Sequence, residues 1–285
     1  MQYTEFIHPE DAAALKTLKS IPMLSTIMKK VMDIGAEQLQ TGLNMASKVK
    51  LSPTQLPRLY NILPPICERL EIKEPEFYLE MNPLPNAYAF GDTQTAITIT
   101  SALVNMMSEE ELIGVVAHEC GHIACRHMLY HTLAQVIANA SGMFETLAKL
   151  AVPIHYALMY WQRKSELSCD RAAAYIVGPR AAASMLARLA GGPQSITSEL
   201  NLEELAEQAD LYDAFCKNGL WNKTLQTYAV MDQDHPFTSV RVREMLKWTE
   251  SEDYQNMIKK NPICPYCHKA IDASWKFCQH CGHKL

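Results

Sequence analysis

The sequence predicts a mainly α-helical chain that carries one small antiparallel β-sheet and ends in a separate cysteine-rich tail. Three observations predict this class. Apolar residues recur at three- and four-residue spacing over most of the 285 residues. The spacing drops to two only between about residues 76 and 100. Four of the nine cysteines fall as two C-x-x-C pairs at the extreme C-terminus.

Taken in order, Leu15, Leu18, Ile21, Leu24, Ile27, Met28, Val31 and Ile34 set a helical period from Pro9 onward, interrupted at Pro22. Ser52-Pro53 has the form of an N-cap with proline at the first helical position, and the following helix carries Leu56, Leu59, Ile62 and Leu63 until Pro64-Pro65 kinks or ends it. Phe77, Leu79 and Met81 alternate with Tyr78 and Glu80 as a strand does; two more short strands are predicted at Ala87 to Phe90 and Ala96 to Thr100, with a turn at Gly91-Asp92. Ser108 followed by Glu111 is a capping-box pattern that opens a helix running to about Leu129. Helical spacing then persists to Trp248, broken by a loop at Gly191-Gly192-Pro193, and Lys259-Lys260-Asn261-Pro262 reads as a charged linker. Three regions follow: a helical N-terminal region, residues 1–75, packing on what comes next; a central domain, residues 76–258; and the tail, residues 259–285.

Composition bounds the function. A chain of this size with 48% hydrophobic and 20% charged residues buries a sizeable core and is globular. Its net charge of -5 argues against nucleic acid as the main partner. The cysteines outside the tail (Cys67, Cys120, Cys125, Cys169 and Cys216) are an odd, scattered set, which points to reduced thiols and a cytoplasmic location. The start of the chain lacks the basic-then-apolar pattern of a signal peptide. The longest apolar stretch, Met143 to Trp161, contains Glu145, Lys149, Pro153 and His155 and reads as a helix pair, not a membrane span; peripheral membrane contact stays open.

The chemistry concentrates at His118-Glu119-Cys120-Gly121-His122. Two histidines four apart on a helix lie about 40° apart in azimuth and one turn apart in height, so both imidazoles reach one ion. Glu119 beside them is placed to take a proton from an attacking water. In an apolar helix such groups need a partner to offset their desolvation. The metzincin continuation is absent, since Cys125 and Met128 stand where it needs glycine and histidine; His127 falls on the opposite helix face and reads as structural. Glu166 and Asp170 lie four apart on a later helix, so one can complete the zinc site and the other can accept a hydrogen bond from a ligand histidine.

Together these stretches resemble the HtpX-like metallopeptidases, which include the type I CAAX prenyl proteases: family forty-eight of the metallopeptidases, among the gluzincins. The likeness runs from about Asn86 to Arg243. It rests on Ala117 to His122 followed by Ser165 to Arg171, on Asn86-Ala87-Tyr88-Ala89-Phe90-Gly91, on Ile97 to Leu103 with Ser108 to Leu112, and on His235-Pro236 with Arg241. The resemblance implies an α+β zincin-like fold and a zinc-dependent endopeptidase with Glu119 as general base. It implies Glu166 as third zinc ligand and Asp170 as the residue orienting His118. It implies that His235 and Arg241 approach the substrate carbonyl oxygen, and that a peptide adds as a strand along Asn86, Ala87, Tyr88 and Ala89. The chain lacks the obvious membrane spans of those relatives.

In the tail, Cys264, Cys267, Cys278 and Cys281 have the spacing of a zinc ribbon, so two zinc ions are expected, one catalytic and one structural. A piece this short has little core, and the metal supplies its folding free energy. The expected partners are protein or peptide substrates, with a further protein docking through the ribbon. The N-terminal helices or the ribbon can cover the cleft and make the enzyme latent. The competing function is a catalytically silent or chaperone-like binding protein that docks partners through the ribbon.

Overall fold

The computed structural model describes residues 2–22, 24–33, 35–139, 145–217, 219, 237–264, 266–267 and 269–285. The N-terminal period folds as α1 (Pro9–Lys19), α2 (Leu24–Asp33) and α3 (Ala36–Ser47). His8 caps α1, its Nδ1 accepting from the Glu10 N–H at 3.1 Å, and Pro9 needs no donor at the first helical position. A two-residue strand not foreseen from the sequence, β1 (Val49–Lys50), precedes the short α4 (Pro57–Tyr60) and α5 (Leu63–Leu70). Ser52-Pro53 does not open a helix: Ser52 and Gln55 exchange backbone bonds in a tight turn, and Pro57 takes the first helical position instead. Pro64-Pro65 starts α5 instead of ending a helix, because prolines in a first turn give up only donors that have no partner there.

The sheet contains β1, β2 (Glu76–Glu80), β3 (Ala87–Phe90) and β4 (Ala96–Thr100), in the order β1-β2-β4-β3. The expected all-antiparallel sheet is instead mixed. β2 and β4 pair in parallel, with Phe77 opposite Ile97 and Leu79 opposite Ile99, while β1–β2 and β3–β4 are antiparallel. The cause is the connection after β2, which carries the chain past one strand position. β4 then returns into the gap, and β3 is left on the edge.

Helices cover one face of this sheet. α6 (Ser101–Met106) leads into α7 (Glu109–Ala124), whose capping box forms as predicted: Glu111 N–H to Ser108 Oγ at 3.3 Å and Ser108 N–H to Glu111 Oε2 at 2.8 Å. α7 stops short of Leu129, because Arg126 takes a left-handed conformation (φ 57°) and α8 (Met128–Asn139) starts afresh. α9 (Glu145–Val177) is one continuous helix, not the helix pair expected of its apolar stretch. The remaining helices are α10 (Pro179–Gly191), α11 (Gln194–Thr197), α12 (Leu202–Lys217), α13 (Thr238–Thr249) and α14 (Glu252–Lys260). Lys259 and Lys260 therefore close a helix, where positive charge suits the carbonyl end, and are not linker. No helix among the described residues is long and apolar enough to cross a membrane.

The main core joins β2 and β4 (Phe77, Ile97, Ile99) to α7 (Val115, Val116, Ala117) and to α9 (Ala172, Ala173, Ile176). α7 and α9 approach most closely at Gly121. A Cβ there would stand 3.0 Å from the Ala172 Cβ and 3.1 Å from the Cys169 Cα, so only hydrogen lets the helices meet. A second cluster seats α1 on α8 and α9 through Ala14, Leu18, Leu133, Leu158 and Trp161.

Candidate metal centre

The close approach at Gly121 sets the site. It turns His118 and His122 of α7 toward Glu166 and Asp170 of α9, and all four side chains are buried. Glu166 bridges the two imidazoles: its Oε2 lies 3.3 Å from His118 Nε2 and its Oε1 lies 3.3 Å from His122 Nε2. That separation exceeds a normal hydrogen bond. Each distance is close to the roughly 3.3 Å that separates two ligand atoms standing about 2.0–2.1 Å from a zinc ion, with one carboxylate oxygen against each imidazole. Two imidazoles and a carboxylate are also the donor set of known catalytic zinc sites, so these residues fit the ion.

The opposite edge of His118 is held separately. Its Nδ1 lies 3.1 Å from Asp170 Oδ1, which places the proton there and leaves Nε2 free to ligate. Arg241, from α13, is buried behind them. Its Nε donates to Asp170 Oδ2 at 2.8 Å and its Nη2 to Oδ1 at 2.7 Å, while Nη1 stands 3.2 Å from Glu166 Oε2. Burial alone would raise the Asp170 pKa, but Arg241 and His118 hold it below the ordinary carboxylate value. Burial would lower the His118 pKa, but Asp170 and Glu166 bring it up to about 10; the pocket strongly favours positive charge between these ligands.

Cys169 also places its thiol within 4.8 Å of donors on His118 and His122. Its Sγ, however, lies 3.7 Å from His127 Nδ1, and that nitrogen faces the Nδ1 edge of His122, away from Glu166. Burial raises the thiol pKa well above its ordinary value, so Cys169 stays protonated. The Glu166 carboxylate and the Cys169 thiol are the two candidates for a third donor among the described residues.

Glu119 is buried but reaches a cleft of about 230 Å³ beside His118. One rim of the cleft is Asn86 and Ala87 at the start of β3, the edge strand; the opposite wall is Met185, Leu186 and Leu189 of α10, with Leu103 and Val115 between. The structure therefore brings together His118, Glu119, His122, Glu166, Asp170 and Arg241, with Asn86 and Ala87 on the rim; Tyr88 and Ala89 do not line the cleft. Arg241 directs its donors at Asp170 and Glu166, although it does border the cleft. His235 lies outside the described residues.

His127 differs from its expected place. It is not on the far face of the helix, because α7 has ended. The His127 N–H returns to the His122 carbonyl at 3.0 Å and the Arg126 N–H to that of Ile123 at 3.1 Å. This is the Schellman arrangement, in which the side chains of the first and last members touch. Here those are His122 and His127, with Nδ1 atoms 3.2 Å apart. Tyr156 and Tyr160 of α9 are exposed.

In the tail, Cys264 and Cys281 Sγ lie 3.6 Å apart, as do those of Cys267 and Cys278. A disulfide would bring sulfurs to about 2.05 Å, whereas a tetrahedron of thiolates about 2.3 Å from zinc has edges of roughly 3.8 Å. All nine cysteines are free thiols. The Tyr266 N–H points at Cys264 Sγ and the His280 N–H at Cys278 Sγ, both at 3.4 Å. Burial pushes Cys278 up, but the N–H groups of His280 and Cys281 outweigh it and bring the pKa down to about 6, favouring the thiolate.

Comparison with known proteins gives the family. The sequence pattern of Peptidase family M48 matches residues 53–249, and that of a zinc-ribbon domain matches residues 263–285. Plastoglobule-localized metallopeptidase 48 of Arabidopsis thaliana is 31% identical over 262 residues, 90% of this chain and 75% of that protein. A protease HtpX homologue of Methylibium petroleiphilum is 28% identical over 230 residues, 72% of this chain and 79% of its own. For one from Pelotomaculum thermopropionicum the match is 30% over 112 residues, and the chain spans only 40% of that protein. The structure of S. mikatae Ste24p aligns with 82% of this chain and 60% of its own at 14% identity and a TM-score of 0.45. A buried pair of helices presents histidines and carboxylates to one point, a donor set that suits a metal ion. The chain belongs to the family forty-eight zinc metallopeptidases and carries a C-terminal zinc ribbon.

Proposed function

We propose that the protein is an endopeptidase of gluzincin type, with His118, His122 and Glu166 as the ligands of a catalytic zinc. The observation that carries this is the 3.3 Å spacing of Glu166 from both imidazoles, which suits a zinc ion and no ordinary hydrogen bond. When bound, zinc supplies Lewis acidity to the scissile carbonyl and acidifies the attacking water.

The chain's own residues do the rest. Glu119 takes the proton of the attacking water and delivers it to the leaving amine, a general-base role worth about 10²–10⁴ in rate. Asp170 keeps the His118 proton on Nδ1 so that Nε2 ligates, and Arg241 fixes Asp170 and Glu166 in place. Arg241 is thus a positioning residue, and the oxyanion-facing role rests with His235 on sequence grounds. The peptide lies extended against Asn86 to Ala89, adding a strand to the open edge of β3. The apolar wall of Leu103, Val115, Met185, Leu186 and Leu189 favours an apolar substrate side chain next to the scissile bond.

The tail holds a second, structural zinc, and its free thiols suit a reducing compartment such as the cytoplasm. Ribbon docking to a protein partner and latency are part of this proposal. Metal analysis of Glu166→Ala tests the ligand set: the variant is expected to hold only the tail zinc. Two full equivalents would overturn the assignment of Glu166.

A further inference from the structure

Among the described residues, the Nδ1 edge of His122 faces no carboxylate directly. It faces His127 at 3.2 Å, and His127 Nε2 in turn stands 3.1 Å from Asp11 Oδ2. Asp11 and His127 are fully buried. Asp11 lies in the first turn of α1, a helix far from α7 in sequence, and its carboxylate also accepts from Trp161 Nε1 at 2.9 Å and from Ser168 Oγ at 2.5 Å. Ser168 Oγ accepts the His8 N–H at 3.0 Å, so the end of α1 is tied to α9 at the same point.

The proton positions follow in one direction. If His122 ligates through Nε2, its neutral ring carries the proton on Nδ1. It then donates to His127 Nδ1, which must be bare. His127 therefore carries its proton on Nε2, the edge that stands in ion-pair contact with Asp11 at 3.1 Å without the alignment of a full hydrogen bond, and Asp11 as a carboxylate favours that proton. Trp161 and Ser168 donate to the same carboxylate, so every partner agrees. Cys169 Sγ, 3.7 Å from His127 Nδ1, is a weak donor to the same nitrogen and does not reverse the order.

We infer that Asp11 is a positioning residue of the metal centre, acting on His122 through His127. His118 is oriented directly by Asp170, and His122 by a carboxylate one histidine further away. The N-terminal helix is then a working part of the site. The inference rests on His122 being a zinc ligand.

The test uses the full-length protein loaded with cobalt(II), so that absorption of the nitrogen–oxygen site is read apart from the thiolate charge-transfer bands of the tail. Affinity at that site is measured by chelator competition for wild type, Asp11→Asn, His127→Asn and the double variant. Each single variant is expected to weaken binding about 10- to 100-fold and to change the cobalt spectrum. The double variant is expected to lose little more than the weaker-binding single one, because the two act in series. Wild-type affinity in Asp11→Asn, or single losses that multiply fully in the double variant, would overturn the relay. If Asp11→Asn does not fold, His127→Asn decides, and unchanged affinity there overturns it. Failure of wild type to bind cobalt at a nitrogen–oxygen site would instead sink the ligand assignment.

Discussion

Arg241 holds Asp170 through two parallel hydrogen bonds, Nε to Oδ2 at 2.8 Å and Nη2 to Oδ1 at 2.7 Å. The same guanidinium reaches Glu166 at 3.2 Å, so one buried cation faces both Glu166 and Asp170 of α9. Replacing Arg241 with alanine leaves two buried carboxylates without it, a change that typically costs about 3–5 kcal/mol. Chemical denaturation of the metal-free protein is expected to show a loss of that order. Lysine keeps the charge but not the fork and should recover only part of it. An Arg241→Ala loss below about 1 kcal/mol would contradict the positioning role.

Gly121 is where α7 and α9 touch. Alanine there meets the Ala172 Cβ at 3.0 Å and the Cys169 backbone at 3.1 Å, and neither can swing aside. Gly121→Ala is therefore expected to lower stability by about 1–3 kcal/mol. It should also weaken zinc binding, since it shifts both histidines against Glu166. Thermal unfolding with and without metal checks both, and an unchanged melting temperature would count against the contact.

The H-E-x-x-H stretch and the Ser108 capping box were legible because each completes itself within one helix. The spacing of Glu166 and Asp170 was legible as a pair of carboxylates on one face, and the strands followed from their alternation. What stayed hidden depends on contacts between distant segments. Nothing local in Pro9-Glu10-Asp11 points to a histidine in the turn between α7 and α8. Arg126 gives no warning that α7 ends there, since glycine or asparagine usually occupies such a position. The parallel pairing of β2 with β4 comes from the path of the connection after β2, which residue alternation does not encode.

His8 carries a pH dependence. Burial, and next Arg171, hold its pKa down at about 4, against an ordinary 6.5. The unfolded chain therefore takes up this proton at a higher pH than the folded one. Stability from this group is complete above about 6.5 and is lost as pH falls toward 4. Unfolding free energies are expected to fall between pH 7 and pH 5 in wild type and to fall less in His8→Asn, which keeps a capping side chain. Equal slopes would contradict the assignment.

The tail has little core of its own, with Cys264 and Cys278 among its few buried residues. Chelation of its zinc is expected to unfold residues 263–285 while the helical core keeps its protection in hydrogen exchange. Cys278→Ala should do the same with the catalytic metal still present. Tail amides that remain protected in either case would argue against a metal-held ribbon.

The central claim is that Glu119 performs the proton transfers of a zinc peptidase whose ligands are His118, His122 and Glu166. Glu119→Gln keeps the shape of the side chain and removes the base. Zinc content and casein turnover, measured on the same preparation, test it most directly. Metal content equal to wild type with turnover reduced at least about a hundredfold is the predicted result. Turnover within a few-fold of wild type would contradict it.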